Sequence, residues 1–268
     1  MTRRSLPILV LLAAAAAATP ACKDTPTAPD SNARGMPLAA KTAGPGTASG
    51  PLASAASAAS AAAKFTRAFR LQDCEFKTVG DNPFFPLKPG LTTVLEGVVD
   101  GERTRLRITV QHQTINVGGV EARVVEEREH VGGKLFEVSR NYFAHCDGNG
   151  SVFYFGEDVD FYENGQIVSH EGAWRHGVDG ARAGVIMPGI ALLGSRYFQE
   201  VAPGIALDRA EILDLSASVS TPFRQFSNAL LTEETTPIDP ADLAYKTYVA
   251  GIGLVADGEL RLVRVEGR

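Results

Sequence analysis

Four acidic residues near the middle of the chain are the candidates for chemistry: Glu157, Asp158, Asp160 and Glu171. Carboxylate oxygens are hard ligands of the kind that Ca²⁺ prefers, so Asp158, Asp160 and Glu171 could form a weak cation site. Two carboxylates that converge in a cleft can also act as general acid and base in a hydrolase. A salt-bridge cluster without any cofactor is the plainer alternative, and it is the one that we favour.

A β-hairpin is predicted to position these carboxylates. Two runs rich in aromatic and β-branched residues, 152–162 and 166–174, flank the dipeptide Asn164-Gly165. This dipeptide favours a two-residue turn, because Asn tolerates and Gly freely adopts the positive φ that the turn requires. The turn then sets the pairing of the two strands.

The pairing predicts which carboxylates meet. If Glu163 pairs with Gln166, then Asp158 lies directly across from Glu171, and Asp160 lies diagonal to them on the same face. Like charges opposed on neighbouring strands are destabilising. We therefore expect an arginine from an adjacent strand, solvent or a bound cation to neutralise this face.

Two further residues enter this prediction. Arg140 lies on the preceding predicted strand and is a candidate for the neutralising arginine. Glu157 is placed opposite Gly172, on the otherwise apolar face of the hairpin, where burial would raise the pKa of its carboxyl.

Known catalytic signatures are absent from the sequence. It contains no G-x-S-x-G, H-E-x-x-H, P-loop or C-x-x-C motif, and its five histidines show no helical pairing. Asp147–Ser151 begins like a calcium loop but lacks the required Gly and Glu, so a hairpin turn is predicted there. We favour a non-catalytic module that binds a partner protein of the cell envelope or an apolar small molecule, with a hydrolase as the alternative.

The first 21 residues have the layout of an export signal, with Arg3 and Arg4 before an apolar run. Thr19-Pro20-Ala21-Cys22 resembles the lipobox of bacterial lipoproteins, which implies that Cys22 carries the lipid. The resemblance further implies a place in the cell envelope, at the outer membrane because Lys23 rather than Asp follows the Cys. A secreted or periplasmic protein is the alternative.

Composition divides the rest of the chain into a tether and a domain. Of the 42 residues from 23 to 64, 32 are Ala, Gly, Pro, Ser or Thr and none is aromatic, so residues 22–64 are predicted to form a disordered linker. Residues 65–268 are predicted to form one domain. The chain carries −5, and because residues 1–21 and 22–64 are each +2, the domain carries −9. This charge argues against nucleic acid as a partner, and against any membrane contact other than through the lipid.

The domain is predicted to be all-β with a minor helix. Six runs with strand-like patterns are separated by Gly-rich turns, which predicts a curled antiparallel meander that forms an open or partly closed β-barrel. The later elements are predicted as a short helix after Thr221-Pro222 and two final strands, 244–255 and 259–265. With Cys22 assigned to lipid, Cys74 and Cys146 remain in an oxidising compartment, so a disulfide between them is predicted.

Two segments carry a family resemblance. Residues 82–90, NPFFPLKPG, resemble the F-P-L-x-x-G motif of uncharacterised bacterial lipoproteins, and residues 248–255, YVAGIGLV, resemble their C-terminal Y-x-A-P-G-V-G-L-V, with Gly251 where Pro is usual. Residues 154–158 and 184–188 are similar to other segments of these proteins. The resemblance implies a β-rich extracytoplasmic domain shaped like a lipoprotein-carrier half-barrel, and it brings no assigned activity.

Overall fold

A computed structural model describes residues 64–267 as one antiparallel sheet that is nearly closed into a barrel. The predicted signal, Cys22 and all of the predicted linker up to residue 63 lie outside the described residues. No α-helix occurs between residues 64 and 267, where the only helical element is a 3-10 turn at Leu71–Asp73. None of this range could therefore cross a membrane as an apolar helix.

Sixteen strands build the sheet. They are β1 (Phe76–Lys77), β2 (Thr92–Val99), β3 (Glu102–Val117), β4 (Val120–Val131), β5 (Lys134–Cys146), β6 (Val152–Glu163), β7 (Gln166–Ser169), β8 (Trp174–Arg175), β9 (Arg182–Met187), β10 (Arg196–Phe198), β11 (Glu200–Val201), β12 (Arg209–Ser220), β13 (Gln225–Thr235), β14 (Leu243–Val249), β15 (Gly253–Asp257) and β16 (Leu260–Glu266). The predicted meander is confirmed in β2 to β6, which pair in sequence order.

One short stretch of chain brings the two edges of the sheet together. Arg196–Phe198 pairs with β12 at one edge, Glu200–Val201 pairs with β9 at the other, and only Gln199 separates them. Because Phe198 and Glu200 lie only two positions apart but pair at opposite edges, the sheet must curl until the edges meet. This is the closure expected of a long twisted sheet.

Two elements of the second half differ from the prediction. The minor helix after Thr221-Pro222 is wrong: Thr221 Oγ1 instead bonds both the N–H and the carbonyl of Arg224, which closes a turn between β12 and β13. The predicted strand 244–255 is a hairpin, β14 and β15, which turns at Gly251 with φ 76°. Glycine adopts this positive φ without strain, so the turn forms without the usual proline.

The segment before β2 is held against the barrel. Cys74 and Cys146 lie at disulfide distance, with Cα atoms 5.1 Å apart, as predicted. Beside this pair, β1 aligns with the end of β5, so that Phe76 faces Cys146. Phe76 then packs edge-on against Phe153 and Phe155 of the core. This segment leads directly into residues 82–90.

Candidate binding site inside the barrel

The predicted register of the β6–β7 hairpin holds for two pairs and then fails. Tyr162 faces Ile167 and Glu163 faces Gln166, but Phe161 faces Ser169 instead of Val168. An extra residue in β7 turns Val168 to solvent, where 56% of it is exposed. The strand ends at Ser169, so Glu171 lies beyond it. The predicted opposition of Asp158 and Glu171 is therefore wrong.

Asp158 and Asp160 each have a separate cationic partner. Arg175 Nη2 lies 2.6 Å from Asp158 Oδ1, and the Tyr142 hydroxyl donates to Asp158 Oδ2 at 2.7 Å. Partial burial disfavours the ionised form of Asp158, but these hydrogen bonds outweigh burial and lower its pKa. Arg140 Nη1 lies 3.0 Å from Asp160 Oδ2, so Arg140 neutralises Asp160 as predicted, whereas Arg175 takes that role at Asp158.

The proposed cation trio is thus divided by the fold. Asp160 also contacts His170 Nδ1 at 2.8 Å, while Glu171 takes part in none of these ion pairs. Within the described range, no three His, Cys, Asp or Glu side chains are arranged to hold a metal ion.

Glu157 is carried into the barrel by a β-bulge. Tyr142 of β5 faces Gly156 while Phe143 faces Tyr154, which leaves Phe155 as the extra residue. The bulge puts Tyr154 and Glu157 on one side, where the tyrosine hydroxyl donates to Glu157 Oε2. Burial raises the pKa of Glu157 to about 8, in the direction predicted from the sequence.

Glu157 is one of eight carboxylates that face each other inside the barrel. We call this set the acidic layer: Glu127, Glu129, Glu137, Glu157, Glu200, Asp208, Glu234 and Asp257. Side chains from β4 to β6 interact electrostatically with side chains from β13 to β15, which lie across the barrel in the sheet order. Six of these residues are buried from solvent, whereas Glu127 and Asp208 are partly exposed.

Burial is the largest cause that raises the pKa of seven of these carboxyls, which are all of them except Glu234, and neighbouring carboxylates add to it. The pKa rises to about 7 for Glu127, Glu129 and Asp257, to about 9 for Glu137 and to about 6 for Asp208. The pKa of Glu200 rises well above its usual value. Much of the acidic layer is therefore protonated at neutral pH, and neutral carboxyls can share hydrogen bonds that ionised ones cannot.

Lys246 is the cation within this layer. Its side chain is 2% exposed, and its Nζ lies 2.8 Å from Glu234 Oε2. Burial disfavours the charge on Lys246, but Glu234 and Asp257 outweigh burial and raise its pKa. Glu234 also accepts hydrogen bonds from Gln199 Nε2 at 3.2 Å and from the Tyr248 hydroxyl at 3.3 Å. This well-satisfied ion pair anchors one side of the layer.

An apolar cavity adjoins the acidic layer. It leaves about 60 Å³ for the centres of water molecules, and residues of β2, β3, β4, β5, β9, β14 and β15 contribute to its wall. The wall consists of Phe85, Pro86, Leu91, Thr93, Ile108, Val110, Val125, Glu127, Phe143, Ile186, Tyr248, Ile252, Gly253 and Leu254. Glu127 is its single ionisable carboxylate.

Glu127 marks the boundary between the two regions. Val125, Glu127 and Glu129 share one face of β4, and the first two line the cavity whereas Glu129 does not. Glu127 is deeply enclosed by protein yet retains some exposed surface, which we assign to the cavity. The Glu127 side chain therefore links the wall of the cavity to the acidic layer.

The segments that carry the family resemblance meet at this cavity. The Gly251 N–H donates to the Pro83 carbonyl at 2.7 Å, which joins the two segments. Buried Asn82 fixes the first segment, since its Oδ1 accepts from the Phe84 and Phe85 N–H groups at 3.1 and 3.0 Å. Phe85 and Ile252 then both contribute to the cavity wall.

Comparisons of this chain with protein-family models, with curated proteins and with solved structures find no match. Burial of Glu157 is predictable from the sequence pattern, whereas burial of the other seven carboxylates of the acidic layer is not. Each of the other acidic residues lies in or beside a strand where an acid normally points to solvent. Gly156 signals only the bulge beside Glu157, since a glycine inside an aromatic strand often marks a bulge, and no local signal of this kind identifies the other seven carboxylates.

Proposed function

We propose that this protein is a binding module that holds the end of an apolar ligand in the cavity, with Glu127 facing the ligand. The observation that carries the proposal is the cavity itself, which is lined mostly by apolar side chains and by a single ionisable carboxylate. Ligand sites in proteins share this composition, in which apolar walls supply affinity and a few polar groups fix orientation. The small volume fits the end of a hydrocarbon chain better than a complete lipid.

Hydrolysis is the weaker candidate. A hydrolase of the predicted kind needs two carboxylates that converge on an accessible substrate. Glu127 has a suitable pKa of about 7, but the other members of the acidic layer are not part of the cavity wall. A bound molecule would therefore meet one carboxylate.

The proposal includes an address in the cell envelope. It rests on the export-signal layout of residues 1–21, on Ala21-Cys22, and on the composition of residues 23–64. A lipid on Cys22 would hold the domain near the outer membrane through a linker whose root-mean-square reach is on the order of 35 Å. In such a place an apolar ligand from the membrane would be close to the cavity.

Native mass spectrometry of the protein purified from its host tests the proposal. The expected result is a copurifying molecule with a hydrocarbon portion that is lost in Ile108→Phe, because the larger side chain occupies the cavity. Ile167→Phe makes the same change on the exposed β6–β7 hairpin and should keep the molecule. A copurifying molecule that is retained by Ile108→Phe would place its binding elsewhere.

A further inference from the structure

The loop between β9 and β10 exposes an unusual set of apolar side chains. Ile190 is 74% exposed, Leu192 is 60% exposed and Leu193 is 69% exposed, the three highest values for large apolar residues between residues 64 and 267. Residues 188–195 contain no charged side chain. Isolated apolar residues on a surface are ordinary, but three within four positions form a patch that a partner would cover.

The backbone of this loop is fixed although its side chains are exposed. The Gly189 N–H donates to Ser151 Oγ at 3.0 Å, and the Pro188 carbonyl accepts from Asn82 Nδ2 at 3.1 Å. At the other end the Gly194 N–H donates to the Ile212 carbonyl at 2.8 Å. The loop therefore presents its apolar side chains from a supported backbone.

The chain enters the described domain beside this loop. Thr66 forms a parallel bridge with Tyr197, in which the Thr66 N–H donates to the Arg196 carbonyl at 2.9 Å. Because the bridge is parallel, residues before Thr66 run in the same direction as residues before Tyr197. Leu193 is three peptide links before Arg196, at most about 11 Å along the chain. The first described residues thus lie on the side of the domain that carries the apolar loop.

The charges around this exit are locally positive. Lys64, Arg67 and Arg70 lie exposed on the first described segment, and Asp73 is the one acidic residue between positions 64 and 73. This +2 segment contrasts with the −9 of residues 65–268. Apolar side chains flanked by Lys and Arg are typical of surfaces that dock on phospholipid headgroups.

We propose that Ile190, Leu192 and Leu193 dock on the phospholipid bilayer from which the linker extends. The inference rests on the proposed lipid anchor at Cys22, which would keep this side of the domain near the membrane. A lipid chain and an inserted loop are two weak attachments that together give stable binding. The proposed docking adds a second membrane contact to the lipid, which the sequence predicted as the sole one. That prediction used the net charge of the domain, whereas the docking follows from how the charge is distributed over its surface.

Tryptophan quenching tests the loop directly. The full-length protein, purified with its natural N-terminal processing, is mixed with vesicles of phosphatidylcholine and anionic phosphatidylglycerol. The acyl chains of these lipids carry bromine, a quencher that acts at short range. Leu192→Trp should lose at least about half of its added emission, because insertion places the indole among acyl chains. The parent has one tryptophan, Trp174, which is 4% exposed and supplies a constant background.

Ile167→Trp is the matched control, since Ile167 is 48% exposed on the β6–β7 hairpin. It should keep its emission in the same vesicles. Ile190→Trp and Leu193→Trp repeat the measurement if Leu192→Trp does not fold.

Vesicle flotation separates the anchor from the loop. A chain that floats while Leu192→Trp stays unquenched would keep the anchor and overturn the loop proposal. A chain that does not float would refute the anchor, and unquenched emission at high vesicle concentration would then overturn the loop as well. A blue shift of Leu192→Trp that depends on protein concentration without vesicles would assign the patch to a second copy of the chain, and would also overturn the proposal.

Discussion

Lys246 and Asp257 face each other on neighbouring strands, yet neither carboxylate oxygen of Asp257 has a hydrogen-bond partner. Lys246 Nζ bonds Glu234 instead, at 2.8 Å. Asp257 is 2% exposed, so its carboxylate is shielded from bulk solvent and receives no hydrogen bond from the described protein groups. Burial accordingly raises its pKa to about 7.

Asp257→Asn should stabilise the protein at high pH. At pH 8.5 the parent must keep this carboxylate ionised in the barrel, whereas at pH 5.5 it is protonated and neutral. The pKa of about 7 lies 1.5 units above pH 5.5. The difference in unfolding free energy between the variant and the parent should therefore be about 2 kcal/mol more favourable to the variant at pH 8.5 than at pH 5.5. Urea denaturation at both pH values measures this difference. An equal effect at the two pH values would contradict the assignment.

The parent should become less stable as pH rises from about 5 to about 9. Unfolded carboxyls titrate near pH 4, while in the folded state the pKa values of Asp208, Asp257, Glu157 and Glu137 are about 6, 7, 8 and 9. Between these values the folded state binds more protons than the unfolded state, so the unfolding free energy decreases with pH. Urea denaturation at pH 5, 7 and 9 should show a continuous decline, and a maximum at pH 9 would refute the acidic layer.

Lys246→Met should destabilise the barrel severely. The substitution keeps an apolar stem of similar length but leaves Glu234 without its cation. Removing one partner of a buried ion pair costs about 3–5 kcal/mol. Lys134→Met, at the exposed start of β5, is the matched control and should change the unfolding free energy little. Thermal unfolding at pH 7 compares the two, and similar melting temperatures would show that the pair does not matter for stability.

Sequence patterns predicted the first half of the fold well because each strand ends at a local signal. Gly118-Gly119, Gly132-Gly133 and Asn164-Gly165 all adopt the positive φ that marks a turn. The β12–β13 turn was mistaken for a helix because Thr221-Pro222 suits both a helix start and a tight turn. The pairing of β12 with β13, which ends at Ser220 and Gln225 on either side of the turn, decides between them.

The site was less predictable because it depends on bulges and on contacts across the barrel. A single extra residue reverses the direction of every following side chain, and this happens at Phe155 in β6 and again in β7. Glu127 and Asp257 are 130 positions apart, so no local pattern relates them. The same holds for the cavity, whose wall joins Phe85 to Ile252.

Glu127 should make ligand binding depend on pH and on the charge of the ligand. Its pKa of about 7 means that the cavity gains a negative charge as pH rises from 6 to 8. Decylamine, which stays cationic, should bind about tenfold more tightly at pH 8 than at pH 6, because a charge pair in a poorly solvated site is strong. Decanol should change little, and Glu127→Gln should remove the dependence for decylamine. Calorimetric titration at both pH values measures these affinities. An equal change in affinity with pH for decylamine and decanol would show that Glu127 does not face the ligand.

Calorimetric titration of decanol into the parent, Ile108→Phe and Ile167→Phe at pH 7 tests the central proposal most directly. Decanol has no charge, so its binding reports the apolar cavity alone. The parent and Ile167→Phe should bind decanol with equal affinity and a negative heat-capacity change, whereas Ile108→Phe should bind at least about tenfold more weakly with an unchanged melting temperature. Equal affinity for all three proteins, or no binding by the folded parent, would contradict the proposed function.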